Sequence, residues 1–577
     1  MSKISVERDM YVQMRDGVEL ATDIYRPRDA GPCPTLVHRN PYDKSNGGSV
    51  AGLILNPLDA VQQGFAVVVQ DPRGRFKSEG EWEPFVNEAE DGYDTVEWAA
   101  EQPWSNGRVG MYGASYHGVT VLQAMIADPP SLEAVFAYLT GADYHNGWTY
   151  TGGAFELGFN QWWTLYNAMD AVTKLDVPED ERAELTEELL DFTEDPEAIV
   201  EQLPVKSNDL FAHPAAECAQ DWFDHPEYDS YWEDIDVTAQ LDDVDTPLLN
   251  AAGWYDMFLP GHLDLYEAVE EKAGPTASEE QRFIVGPWDH EAYVTVTPDR
   301  GGERKFGYRA AGGTAMMSDL SLEWFDYWLG DADELDIPSV QYYQMGDNEW
   351  RTCESWPPEH EPTPYYLHSD GEANSKSGDG SLRPVEPTGE SVDSYEYDPA
   401  DPVPTTGGRS LHPNIEEPGI TDRSAVETRD DVLIYTSERL TEPCKIAGPV
   451  DATLYVATSA PDTDFVATLV DVEPDGYCVP VTEGIRRARY RDGFEETSFL
   501  EPGEEYEIPV NMGAVAHTFD AGHRIRLEVT SSNFPKLDRN LNIAEPVGEG
   551  TLEDAQVATQ NVFHTPAAPS HVTLPVR

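Results

Sequence analysis

The sequence is short of positive charge. Its 577 residues carry 37 Lys and Arg against 108 Asp and Glu, for a formal net charge of −71 at pH 7. Nucleic-acid binders need a concentrated basic patch; the few basic residues here are scattered, which argues against nucleic acid as a partner. An anionic membrane surface is disfavoured for the same reason. Lysine is the scarcer cation, with 10 Lys to 27 Arg. No apolar run approaches the ~20 residues that span a bilayer. The first ten residues, MSKISVERDM, contain no apolar h-region, so no secretory signal is read and a cytoplasmic location is expected. Cysteine is sparse and odd in number: Cys33, Cys218, Cys353, Cys444 and Cys478 form no CxxC pair. That pattern fits reduced thiols and supports neither a disulfide framework nor a zinc ribbon. HExxH, P-loop and Rossmann fingerprints are missing, so no metal and no nucleotide cofactor is implied.

Apolar residues, by contrast, are plentiful. They make up 40% of the chain, aromatics 11%, and there are 14 Trp. This supplies several packed cores and excludes whole-chain disorder. The acids are spread over the whole chain and are not blocked into a tail. Dense carboxylates stay hydrated when water is scarce, and at ~1 M salt a Debye length of ~3 Å screens their repulsion. The composition is therefore read as adaptation to a salt-saturated cytoplasm.

Local patterns divide the chain. Within residues 1–140, short β-branched runs at 18–25, 35–38, 66–70, 109–112 and 134–139 alternate with helical stretches such as 88–100, where Ala89, Tyr93, Val96 and Ala100 recur at helical spacing. Two more strands are expected at 247–251 and 282–285, within a second piece at 246–345. Alternating β and α elements imply a mostly parallel sheet covered on both faces. The stretch 141–245 reads instead as a helical cap insertion. It opens with aromatics, continues with an acidic helical run at 177–203, and holds 27 acids against Lys174, Arg182 and Lys206. From 346 to 577, short strands separated by Pro, Gly, Ser and Thr predict an all-β sandwich or jelly roll. Residues 371–409 are Gly-, Ser-, Asp- and Pro-rich and are expected to be a long loop. The fold class is thus α/β with an inserted helical cap and a C-terminal all-β jelly-roll domain.

The sharpest motif is GASYHG at 113–118. A strand runs into Gly-x-Ser and a helix follows, the context of a nucleophile elbow. The usual second Gly is one place late, with His117 in its slot. A serine hydroxyl needs a base, and the base an orienting carboxylate. α/β-Hydrolases carry them in the order Ser, acid, His on loops after later strands. Asp256, in NAAGWYD, and His290, in GPWDH, stand in those slots at strand C-terminal ends. His262 lies well past the strand-end slot, so His290 is preferred as base. His117 reads as a helix-start residue near the site. Asp71 and Arg73 are expected to hold their loop, and Asp289 to be a solvated acid.

GASYHG, RNPYDK (39–44), QDPRGRFKSEG (70–80), GWYDMF (253–258) and GPWDH (286–290) together resemble the cocaine esterase / X-Pro dipeptidyl-peptidase family of serine hydrolases. The runs GIRRARYRD (484–492) and GHRIRLEVTSSNFP (522–535) are similar to that family's non-catalytic β domain. The resemblance covers nearly the whole chain in matching order, and the family tolerates a non-Gly residue after the Ser-Tyr pair. It implies that Ser115 is the nucleophile, His290 the general base and acid, and Asp256 its orienting partner. It implies an oxyanion hole from the Tyr116 backbone N–H and the Tyr42 phenol, and an acyl pocket using Trp148, Trp163 and Phe258, with Trp162 in place of Trp163 if the helix is shifted by one.

The expected activity is hydrolysis of a small ester or amide, by an esterase or acylase. Release of Xaa-Pro dipeptides from short peptides is the alternative. A non-catalytic carbohydrate-binding protein on a disabled hydrolase core is the reading from a different class. A homo-oligomer is compatible with the sequence.

Overall fold

The computed structural model describes residues 3–28, 30–46, 54–293, 300–412, 415 and 417–577. Ten strands form the first sheet. They are β1 (Ile4–Gln13), β2 (Glu19–Pro27), β3 (Cys33–Arg39), β4 (Ala66–Gln70), β5 (Ser105–Ala114), β6 (Leu132–Tyr138), β7 (Leu248–Gly253), β8 (Arg282–Gly286), β9 (Val340–Gln344) and β10 (Glu349–Cys353). Their spatial order is β1-β2-β4-β3-β5-β6-β7-β8-β9-β10. The seven strands from β4 to β9 are mutually parallel, with antiparallel strands at both edges. The central strands are apolar on both faces, as in β4 (AVVVQ), because helices cover both.

Helices α1 (Glu88–Ala100) and α2 (Tyr116–Ile126) lie on one face. They approach so closely that a Cβ on Gly92 would stand 2.6 Å from the Ala124 side chain. On α2 only Ile126 escapes burial. Trp324, from a later helix at Thr314–Leu329, donates its indole N–H to the Val135 carbonyl of β6 at 3.1 Å.

Between β6 and β7 come α3 (Leu157–Ala171), α4 (Glu179–Glu194) and three shorter helices. The single run expected at 177–203 is broken, because Asp195, preceding Pro196, leaves the helical region at φ −139°, ψ 70°. On α4 only Leu189 is fully buried. Its acidic remainder faces outward.

The C-terminal part is all-β. Eleven strands from Glu361 to Val576 form one hydrogen-bonded series, with Cys444–Thr458 pairing at once with Tyr506–Phe519, Ala558–His564 and His571–Val576. Two of the four arginines of GIRRARYRD, Arg487 and Arg489, are internal braces here. Arg487 pairs with Asp464 and Asp538 at 2.9 Å each, and Arg489 with Asp462 at 2.8 Å. This all-β part touches the insertion directly: Phe155 N–H donates to Asp538 Oδ1 at 2.7 Å, and Arg487 N–H to the Gly152 carbonyl at 2.9 Å.

Two further expectations change. Residues 371–409 are not a plain loop: they carry Ser381–Arg383 and Ser391–Tyr397, both in the sheet. The second strand was hidden because one of its inward residues is Asp393. That carboxylate is fully buried and accepts from Tyr435 Oη and Ala373 N–H, with His564 Nε2 at 2.8 Å. The boundary read at 345/346 falls inside the β9–β10 hairpin, so the first sheet extends to Cys353. No described helix is long and apolar enough to cross a membrane.

Candidate active site

Ser115 stands between β5 and α2 at φ 57°, ψ −134°. A non-glycine residue in that region costs of order 1–3 kcal/mol, so the surrounding chain must enforce it. It does so by two contacts from the last residue of β6 and the one after it: Ser115 N–H is shared between the carbonyls of Tyr138 (3.0 Å) and Leu139 (3.1 Å). The flanking glycines answer to close approaches. A Cβ on Gly113 would stand 2.2 Å from the His117 carbonyl oxygen, and one on Gly118 would stand 2.7 Å from Thr140. The one-place delay of the second Gly therefore still leaves a glycine where α2 meets the end of β6. The first N–H groups of α2 have no intrahelical acceptor, and the helix end favours negative charge beside the hydroxyl.

Asp256 and His290 arrive on loops after β7 and β8. Those loops are tied to one another, since Trp254 N–H donates to the Gly286 carbonyl (2.8 Å) and Tyr255 N–H to the Trp288 carbonyl (2.9 Å). Gly253 and Gly286 are required there: a Cβ on either would lie 2.4 Å or 2.1 Å from Trp288. His290 Nε2 lies 3.0 Å from Ser115 Oγ, and His290 Nδ1 lies 2.5 Å from Asp256 Oδ2. The other oxygen, Asp256 Oδ1, accepts the Phe258 N–H at 2.8 Å. All three side chains are buried. With Nδ1–H held on a carboxylate, Nε2 presents its lone pair to the hydroxyl, the arrangement that can withdraw a proton as oxygen attacks a carbonyl.

His262 is committed elsewhere. Its Nε2 accepts the Thr140 N–H at 2.6 Å and its Nδ1–H donates to Asn250 Oδ1; burial pushes it down to about 4. Asp289 is buried and not solvated as expected, and burial pushes it up to about 6. Asp71 accepts the N–H groups of Lys44 (2.7 Å) and Lys77 (3.4 Å), and Arg73 pairs with Asp91 and Asp16, so these residues hold the loops of RNPYDK and QDPRGRFKSEG.

Tyr42 follows β3. Its N–H donates to Asn40 Oδ1 at 2.9 Å, and its hydroxyl oxygen accepts the indole N–H of Trp163 at 3.1 Å. Asn40 Oδ1 also faces His117 Nε2 at 3.1 Å, while His117 Nδ1 lies 2.8 Å from the Ala114 carbonyl. The His117 ring stacks on His38 at 4.7 Å and meets Tyr42 edge-on at 5.2 Å. The Tyr116 phenol points away from the elbow. It donates to Glu88 Oε1 at 3.1 Å and accepts the Phe85 N–H at 2.8 Å, and Glu88 is in turn paired with buried Arg39.

The expected pocket aromatics lie together. Trp148 stacks on Phe258 with centroids 4.2 Å apart, and Phe258 meets the His290 ring edge-on at 5.1 Å. Trp163 stacks on Tyr116 at 5.5 Å and is buried, whereas Trp162 is half-buried and stacks on Tyr166. Sequence reasoning missed Trp82, Phe85, Glu88, Asn40 and Arg75, all of which touch this cluster or its supports. QDPRGRFKSEG was the signal for Arg75; its guanidinium lies over Trp82 at 4.5 Å.

A parallel sheet with helices on both faces, a serine on the strand-to-helix turn, and a histidine and carboxylate on later strand ends define a hydrolase of the α/β class. Comparison with known proteins makes this specific. Residues 16–292 match the X-Pro dipeptidyl-peptidase (S15) family, and residues 335–573 match the X-Pro dipeptidyl-peptidase C-terminal non-catalytic domain. The chain is 38% identical over 576 residues to cocaine esterase of Rhodococcus sp. (strain MB1 Bresler), covering 99% of this chain and 98% of that one. The fold matches an aminopeptidase from a marine sediment archaeon, Thaumarchaeota archaeon, with TM-score 0.80 and 27% identity over all of this chain and 96% of that one. It matches an alpha-amino acid ester hydrolase with TM-score 0.79 and 26% identity, over all of this chain and 97% of that one. The chain belongs to the X-Pro dipeptidyl-peptidase (S15) family and is a serine hydrolase of it.

Proposed function

We propose that this chain hydrolyses the acyl bond of a small ester or amide through an acyl-enzyme on Ser115. His290 Nε2 takes the Ser115 proton as Oγ attacks the carbonyl carbon, and the resulting imidazolium stays paired with Asp256. The Tyr116 backbone N–H and the Tyr42 hydroxyl donate to the oxyanion. His290 then passes its proton to the leaving alcohol or amine as the acyl bond breaks. Water enters, gives a proton to His290 and its oxygen to the acyl carbon, and Ser115 leaves with the proton restored. Trp148 and Phe258 flank the acyl group. No cofactor takes part.

The observation that carries this reading is the line of two hydrogen bonds, Ser115 Oγ to His290 Nε2 at 3.0 Å and His290 Nδ1 to Asp256 Oδ2 at 2.5 Å. An esterase or acylase is preferred because the full-length relative at 38% identity is a cocaine esterase. The X-Pro dipeptidyl-peptidase reading draws on the family's name and requires a carboxylate facing the substrate ammonium. The chain works in a salt-rich cytoplasm, with neither nucleic acid nor membrane as partner. Its division is a two-part hydrolase core (1–140 and 246–353) carrying a cap (141–245) and a β-sandwich (354–577).

A fluorophosphonate probe, p-nitrophenyl acetate and butyrate, and an Ala-Pro anilide, all in molar KCl, test this. Labelling at Ser115 with fast ester turnover is expected. Fast anilide cleavage with poor ester turnover overturns the esterase reading. Absence of labelling overturns the catalytic assignment and leaves a binding role, such as carbohydrate recognition by the β-sandwich.

A further inference from the structure

Trp163 was expected to be a wall of the acyl pocket. Its polar atom does something more specific: indole Nε1–H donates to the Tyr42 hydroxyl oxygen at 3.1 Å. An indole N–H can only donate, so Tyr42 is the acceptor in this contact. A phenol O–H lies near its ring plane and has two orientations. A donor seated on one side of the oxygen leaves the proton the other. Accepting a hydrogen bond also polarises the O–H and strengthens it as a donor.

The contact is not an accident of a mobile side chain. Trp163 is on α3, and Asn167, one turn later on the same face, is keyed to the same loop. The Asn167 carbonyl accepts Arg75 Nη1 at 3.2 Å, Asn167 Nδ2 donates to the Trp163 carbonyl at 2.8 Å, and Arg75 Nε donates to the Pro41 carbonyl at 3.0 Å. Further along α3, Asp170 Oδ2 accepts the Phe76 N–H at 3.0 Å. The helix is therefore pinned to residues 41–42 from two points, and both Trp163 and Arg75 are buried.

We propose that Trp163 is a positioning residue of the oxyanion hole: by donating to the Tyr42 oxygen it turns the phenol proton toward the oxyanion, so that the helical insertion supplies part of the transition-state machinery. This rests on Tyr42 being an oxyanion donor, as proposed above. Trp163 need not touch substrate to act in this way.

The test replaces Trp163 by β-(3-benzothienyl)alanine, an isostere in which sulfur takes the place of the N–H and the stacking surface is kept. Trp163→Phe is made beside it, and both are repeated in Tyr42→Phe. The expected result is a loss of ~10-fold in kcat for the isostere, with KM unchanged within twofold and with a trifluoromethyl ketone inhibitor weakened by the same factor. In the Tyr42→Phe background the isostere should have no further effect. An isostere with unaltered kcat, beside a Tyr42→Phe that loses ~100-fold or more, overturns the role of Trp163 and leaves that of Tyr42. A Tyr42→Phe with full kcat overturns the oxyanion assignment itself.

Discussion

His117 Nε2 lies 3.1 Å from Asn40 Oδ1, and that same oxygen receives the backbone N–H of Tyr42. The residue that takes the place of the second elbow glycine thus reaches the loop carrying the proposed oxyanion phenol. His117→Leu keeps an apolar filling and removes the contact. We expect kcat to fall ~10-fold with KM little changed, and circular dichroism to stay native.

The same residue makes an acid-stability prediction. Burial pushes His117 from 6.5 down to about 4. The unfolded chain therefore binds a proton before the folded one does. The stability of the neutral folded form is fully present above pH 6.5 and is lost as the pH falls toward 4. His117→Leu lacks this loss. Urea midpoints at pH 7 and pH 4.5 should show the gap between wild type and variant shifting in favour of the variant on acidification. An unchanged gap would count against a neutral buried His117.

Ser115→Ala should abolish fluorophosphonate labelling and lower ester turnover at least ~10³-fold without loss of fold. The measurement is labelling followed by mass spectrometry of the peptide containing residue 115.

Asp256→Asn separates orientation from packing. The amide oxygen can still accept the Phe258 N–H, but an amide facing His290 Nδ1 favours the wrong tautomer. A fall of ~10³–10⁴ in kcat with an unaltered melting temperature is expected.

Gly113→Ala should fail for a steric reason, since its Cβ would be 2.2 Å from the His117 carbonyl oxygen. A loss of ~1–3 kcal/mol in stability, together with most of the activity, is expected from chemical denaturation and turnover.

The charge makes the last prediction. With a formal net charge of −71, melting temperature and activity should both rise as KCl goes from 0.1 M to above 1 M, because screening relieves carboxylate repulsion. Full stability in dilute buffer would refute the halophile reading while leaving the hydrolase reading untouched.

The sequence by itself determined the parts whose signals are local. The expected helix 88–100 is α1 in its bounds, although of Ala89, Tyr93, Val96 and Ala100 only Val96 is fully buried, and the β-branched run at 66–70 is β4. Gly-x-Ser between strand and helix, and the order of Asp256 and His290 on strand-end loops, are written in short stretches of chain whose chirality and turn chemistry admit few topologies. Where the local pattern is weak, the elements were invisible. β1 is a mostly exposed edge strand with a bulge between Glu7 and Met10, so it carries no alternation. Ser391–Tyr397 hides its inward face behind Asp393, whose carboxylate is satisfied by partners 20 to 171 residues away.

Only the tertiary structure decided what the polar atoms near the serine do. The Trp163–Tyr42 contact spans 121 residues and the His117–Asn40 contact 77. No periodicity encodes which hydroxyl an indole will meet. A side chain's place on a helix face follows from chain geometry alone, but the partner of a buried donor is fixed by which elements the folded core brings together, and burial leaves that donor no water to bond instead.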